Sequence, residues 1–373
     1  MRLNELVRIN EAALVADAVN FDMMADEEKN LHLCQGFIFN YEPGKPKDST
    51  VGVLDALRRS YHSRNEPNVH LLVQDYGKGK SHFALVIANF FKQPYESPEL
   101  QGILRQVEIA TAGASAIFED LKAYKQRNKK HLVICLSGEC GDIKQLFLRS
   151  LRQTLEAEGI TDSIAQHICA EPIRYLEGLT LEQLVIAEKY LESIGNPNGD
   201  VQAIIRLLQG DNYLLIPTVI DISRELIPGR YPINFEADLK LEDILEDLLK
   251  TLCSGENSRF DGILILFDEL NEYLRNWASN PAAVGGLALQ NITNVCERHK
   301  GRIALMSLTQ IKPSNATAML LHSQELKSYQ KLTSRLELSP STYEPVSSLE
   351  LVLSKYSVAL IRSEFLHHLC HGV

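Results

Sequence analysis

The chain lacks any apolar run near the 18 or more residues that would span a bilayer; stretches such as Ile263–Phe267 are short. No membrane contact is therefore expected. It has a single Trp and no CxxC pair. Its seven cysteines, at 34, 135, 140, 169, 253, 296 and 370, are odd in number and scattered. That pattern argues against a disulfide framework and against a zinc module. Basic charge is also short: 38 Lys+Arg face 48 Asp+Glu, a formal net charge of −10. Such a chain does not hold nucleic acid through its bulk field, and any contact with DNA would be local or indirect. Residues 1–10 carry Arg2, Glu5 and Arg8 and no secretory apolar core, so the expected location is cytoplasmic.

What is present suffices for a large core. Of 373 residues 45% are hydrophobic, which excludes disorder as the main state and fits two domains or one domain with insertions. Residues 1–50 read as an N-terminal helical or extended segment, with helical spacing over Glu5–Val19. A helix over Val51–Arg64 precedes an apolar strand, Val69–Val73. Further buried-type strands are expected at His131–Ser137, Gly262–Phe267 and Arg302–Leu308, with a weaker fifth at Leu336–Leu338. Residues 142–256 look like a mainly helical insertion, with a capping box at Thr180–Gln183 and an amphipathic helix over 239–252. Short apolar strands separated by helices predict an α/β fold with a parallel five-stranded sheet flanked by helices. Its core would comprise 51–141 and 257–340, with a short helical tail over 341–373.

The strongest chemical signal is Gln74–Ser81, QDYGKGKS, between a strand and a helix. A tight glycine loop opening into a helix that begins Lys-Ser is the P-loop arrangement. Gly77 and Gly79 permit backbone conformations that turn amides inward, and those amides with the helix N-terminus make an anion nest. Asp75, Tyr76, Gly77, Lys78, Gly79, Lys80, Ser81 and His82 are the candidate nucleotide-binding residues. Lys80 would place a charge at the β/γ-phosphates, and the Ser81 hydroxyl would ligate Mg²⁺. The usual pattern begins with Gly, where this chain has Gln74. The bland alternative is a glycine-rich surface turn.

Ile263–Glu269, ILILFDE, ends a buried strand in two adjacent carboxylates. Such a pair is costly to bury unless a cation or proton chemistry uses it. In a P-loop ATPase Asp268 would hold Mg²⁺, and Glu269 would polarise the attacking water. Thr309 and Gln310 end the fourth strand, where either can contact the γ-phosphate or the lytic water; a plain polar strand end is the other reading. Arg335 can act as an arginine finger toward a neighbouring subunit, or be a surface residue.

These strand endings, in this order, resemble an AAA+-type P-loop ATPase core over roughly residues 50–340. The wording YGKGKSH at 76–82 resembles the large ATPases of bacterial anti-phage systems of the BREX and Pgl type, with related proteins in DNA-phosphorothioation-linked restriction. The resemblance implies ATP and Mg²⁺ as ligands, protein partners in a defence or DNA-processing assembly, and a homo-oligomer as one option. Residues 342–373 then read as a short or truncated lid, and Gly138–Asp142 lacks the aromatic residue of protein-threading rings.

Other features read as structural. Lys125–Lys130, KQRNKK, fits a solvated helix end better than a phosphate contact. Trp277 reads as packing, as do Cys135 and Cys140, and the tail around His367, His368, Cys370 and His371 matches no metal module. The expectation is thus an enzyme, an Mg²⁺-dependent ATPase. The alternative is a nucleotide-gated scaffold with little or no turnover, motivated by Gln74 and the short tail. A RecA-like nucleic-acid motor is a weaker third, opposed by the acidic charge.

Overall fold

The computed structural model describes residues 19–75, 77–112, 116–127, 130–138, 142–160, 162–196, 200–210, 215–227, 229, 233, 235, 240–255, 258–279, 288–316, 323–337 and 341–345. The expectations for residues 5–18 and for the tail beyond 345 lie outside these residues, as do those for Tyr76 and Cys140.

Among the described residues five strands form one sheet: β1 (Val69–Val73), β2 (Leu132–Ser137), β3 (Ile263–Asp268), β4 (Ile303–Thr309) and β5 (Thr342–Tyr343). Their order across the sheet is β2-β3-β4-β1-β5, and every pairing is parallel. β1 to β4 are nearly continuous apolar runs because both faces are covered. On one face Leu72, Leu264, Leu266, Ala304, Met306 and Leu308 pack with Phe83, Val86 and Ile87 of the helix Lys80–Lys92, and with Val53, Leu54 and Leu57 of the helix Thr50–Ser60. On the other face the helix Ala288–Arg298 lies against β4 and β1, and the helix Ser323–Leu336 lies against β1.

The fifth strand differs from the expectation. Leu336 is the last residue of a helix, where Leu332 and Leu336 are buried one turn apart. That spacing is helical, and it outweighs the strand-like alternation of Leu336–Leu338. β5 instead pairs Thr342 and Tyr343 with Leu71 and Leu72. A core ending at residue 340 would therefore cut β5 from its sheet.

The chain divides into two compact units, residues 1–147 with 252–373, and 148–251. The second unit contains the helices Asp162–Glu177, Leu181–Ser193, Val201–Gln209 and Ile216–Leu226, and most of Leu241–Leu252. Thr180 and Gln183 form the capping box, each side chain accepting from the other's backbone N–H. Val201, Ile204, Ile205 and Leu208 give one apolar face to the short helix that Gly210 ends.

Lys125 departs from the reading of a solvated basic helix end. It is buried, its ammonium 3.4 Å from the Phe91 carbonyl and 5.7 Å above the Phe90 ring. Burial lowers its pKa to about 8. Its neighbour His131 is also buried, accepts from or donates to Tyr124 Oη at 2.9 Å, and is held neutral by burial. Trp277 is buried and packs within the fold.

Candidate functional site

The sheet topology creates a crevice. From β1 the chain runs to β2, passing β4 and β3. From β4 it runs the opposite way, past β1 to β5. The helix after β1 and the helix Ser323–Leu336 after β4 consequently cover opposite faces. Neighbouring strands whose connections diverge leave an opening at their carboxyl ends, where α/β folds bind ligands. Residues 74–81, 268–269 and 309–310 all fall on that edge.

The loop after β1 has the backbone the sequence suggests. Gly77 and Gly79 have φ of +75° and +86°, and an added Cβ at either would meet nothing within 4 Å. Glycine is needed there for its conformation, not for space. Gly79 is the N-cap of the helix Lys80–Lys92 and supplies no side-chain cap. The first-turn amides of that helix are thus left for another acceptor, in a position that favours an anion. Ser81, half-buried, lies in this first turn. Asp75 and Lys78 form a 3.1 Å ion pair on the loop's outer side, where Asp75 is mostly exposed and the pair adds little stability.

Gln74 accounts for its own presence. Its backbone N–H donates to the Thr309 carbonyl at 3.0 Å, continuing the β1–β4 ladder. Its side-chain amide donates to the Pro345 carbonyl at 3.1 Å, on the β5 side. The side chain thus leaves the loop, and a residue larger than Gly is accommodated.

Lys80 is the centre of the site. Its Nζ donates to Asp268 Oδ1 and to Glu269 Oε1, both at 3.1 Å, with side-chain exposures of 6%, 10% and 19% for the three residues. Asp268 Oδ1 also accepts from the Glu269 backbone N–H at 2.8 Å. Gln310 Nε2 lies 3.4 Å from the other Glu269 oxygen. Glu269 has φ +57°, a left-handed conformation uncommon for a residue with a Cβ and concentrated at functional sites. Gly138, at the end of β2, allows this turn. Its N–H donates to the Asp268 carbonyl at 2.9 Å, and a Cβ there would sit 2.1 Å from the Glu269 carbonyl oxygen.

One ammonium against two carboxylates, that of Asp268 buried and that of Glu269 half-buried, leaves a negative charge uncompensated, so the donor set suits a divalent cation held together with an anionic ligand. Among the described residues no group of three or more His, Cys, Asp or Glu could hold a metal ion. A Mg²⁺ at Ser81 and Asp268 would therefore depend on water and phosphate oxygen for most of its shell, its usual habit.

The other expected residues separate. Thr309 is fully buried, and its hydroxyl is engaged by Asn271 and by the Ile311 carbonyl, at 2.6 and 2.8 Å. Of the two β4-end candidates it is Gln310 that reaches the carboxylate. His82 turns away from the loop: its Nε2 lies 2.8 Å from the Leu33 carbonyl, its ring meets Phe37 edge-on at 5.0 Å, and burial keeps it neutral. Only its backbone can serve the helix N-terminus. Arg335 bonds Asn294 Oδ1 and lies 3.9 Å from Glu297 Oε2, both on the helix Ala288–Arg298, and makes no bond to the carboxylates. Two contributors were not anticipated, Gly138 and Asn271. Asn271 had a faint signal, an amide placed two residues after Glu269 at the start of a helix.

No protein family, curated relative or solved structure was found to match the chain, so fold and site rest on its own geometry.

Proposed function

We propose that the chain binds a nucleoside triphosphate, ATP by preference, in the crevice between the carboxyl ends of β1 and β4, and hydrolyses it with Mg²⁺. The single observation behind this reading is Lys80 placed 3.1 Å from both Asp268 and Glu269, beneath a glycine loop and a helix N-terminus. The loop amides of 77–81 would hold the phosphates, and Lys80 would neutralise charge on them. Ser81 and Asp268 would hold Mg²⁺, whose role when bound is to compensate phosphate charge. Glu269 would orient water and take its proton, and Gln310 would fix the Glu269 carboxylate by donating to it. Lys80 must loosen from Glu269 for this, because its ammonium occupies Oε1, where water would have to donate.

That same contact favours a second reading. If Lys80 never releases Glu269, the protein is a nucleotide-gated scaffold that binds without turnover. An equilibrium titration with a fluorescent ATP analogue, with and without Mg²⁺, on wild type and Lys80→Ala, combined with phosphate release, separates the cases. Mg²⁺-dependent binding that Lys80→Ala abolishes, with turnover, supports the ATPase. Binding without turnover selects the scaffold, and no binding ends both.

The proposed setting is an anti-phage or DNA-processing assembly with protein partners, motivated by the YGKGKSH wording. Duplex DNA and candidate partners that leave binding and turnover unchanged would count against it.

A further inference from the structure

We infer that Asn271 is a positioning residue that holds the end of β4 so that Gln310 meets Glu269. This rests on the ATPase reading and names a device within that site. Asn271 is 3% exposed, in the first turn of the helix Leu270–Ser279. Its amide has one orientation that satisfies every neighbour. Oδ1 then accepts from the backbone N–H groups of Gln310 at 3.1 Å and Ile311 at 3.2 Å, and Nδ2 donates to Thr309 Oγ1 at 2.6 Å. The Thr309 hydroxyl donates onward to the Ile311 carbonyl at 2.8 Å. Residues 309–311 are thereby pinned into one turn, and that turn sends the Gln310 amide to Glu269 Oε2.

Both ends of this arrangement come from a single segment. Glu269 and Asn271 are two residues apart, so the piece of chain that carries the carboxylate also holds the residue that orients its partner. The turn that carries them has the left-handed φ of +57° at Glu269. Without Asn271 the N–H groups of Gln310 and Ile311 lose their acceptor, the turn loosens, and Gln310 no longer has a fixed direction.

The test is a double-mutant cycle with Asn271→Ala, Gln310→Ala and the pair, reading nucleotide affinity and phosphate release separately. Each single variant is expected to retain wild-type affinity while its kcat falls about 100-fold, the scale of a small misplacement in a catalytic constellation. The double variant is expected to be no slower than either single one, because both act through the same amide. Losses that multiply, or a weakened affinity that accounts for the whole effect, would overturn the inference. If Asn271→Ala does not fold, Asn271→Ser carries the comparison, since its shorter hydroxyl cannot accept from both the Gln310 and the Ile311 N–H. It is expected to keep wild-type affinity with kcat about 100-fold lower, and wild-type turnover in it would overturn the positioning role. Wild-type protein without turnover overturns the ATPase reading itself, a result distinct from active wild type with variants that do not couple.

Discussion

Lys80 Nζ lies 3.1 Å from Glu269 Oε1, although β4 stands between the strands that deliver them. The helix after β1 begins at Lys80, so the side chain starts above the sheet edge and can cross it. The contact joins the helix that follows the glycine loop to the carboxylate that the proposed function has orient water. It also makes the resting site self-neutralised in part, with Asp268 as the second acceptor.

Lys80→Ala should therefore do more than weaken nucleotide binding. It leaves Asp268 and Glu269 side by side and half desolvated, and breaking a buried pair this way costs about 3 kcal/mol or more. Asp268→Asn leaves one ammonium facing one carboxylate and should be neutral or stabilising, as is common when an active-site charge is removed. Denaturant melts of the two variants check this, and equal stability losses would contradict the charge arrangement described.

Gly138→Ala should damage the site from below. Its Cβ would sit 2.1 Å from a backbone oxygen of Glu269, which cannot rotate away. A shift of the β2 end or of the turn at Glu269 is required, at about 1–3 kcal/mol. Turnover should fall further than stability explains, since Glu269 moves. A variant with wild-type melting and wild-type phosphate release would refute the close approach.

Gln74→Gly restores the usual loop wording, yet the structure predicts no gain. The Gln74 side chain bonds Pro345 outside the loop. Removing that bond and adding a glycine should destabilise by about 1–2 kcal/mol. Phosphate release measured beside wild type should not rise, and a clear rise would show that Gln74 hinders the phosphate site.

Much of this was legible in the sequence because of how parallel sheets are built. Strands covered on both faces become apolar runs, and their polar endings then stand out, as with Asp268 and Gln310. β5 escaped detection because Thr342–Tyr343 is two residues long and carries no periodic pattern. Asn271 was missed because its role depends on the neighbouring strand, to which no local pattern points. Lys125 was misread because a run of basic residues says nothing of where one stem packs, here against Phe90.

Acid should unfold the protein early. His70 and His131 are buried, and burial lowers the pKa of each to about 3, against an ordinary 6.5. Between those values the unfolded chain binds protons that the folded chain refuses, so stability rises with pH across that window and is complete above it. Each histidine adds a slope of up to about 1.4 kcal/mol per pH unit. His70 bonds Ser60 and Tyr343 at 2.7 and 3.0 Å, so its replacement perturbs β5, and His131→Gln is the cleaner probe. Unfolding free energies at pH 7 and pH 5 should differ less in His131→Gln than in wild type. An unchanged difference would place the acid sensitivity elsewhere.

The most direct test of the central claim is phosphate release from ATP with Mg²⁺ by wild type and by Glu269→Gln, with nucleotide affinity measured on both. Turnover in wild type that is lost in Glu269→Gln, with affinity kept, is the predicted result. Equal turnover in the two proteins would contradict the role assigned to Glu269, and an absence of nucleotide binding in wild type would contradict the phosphate site itself.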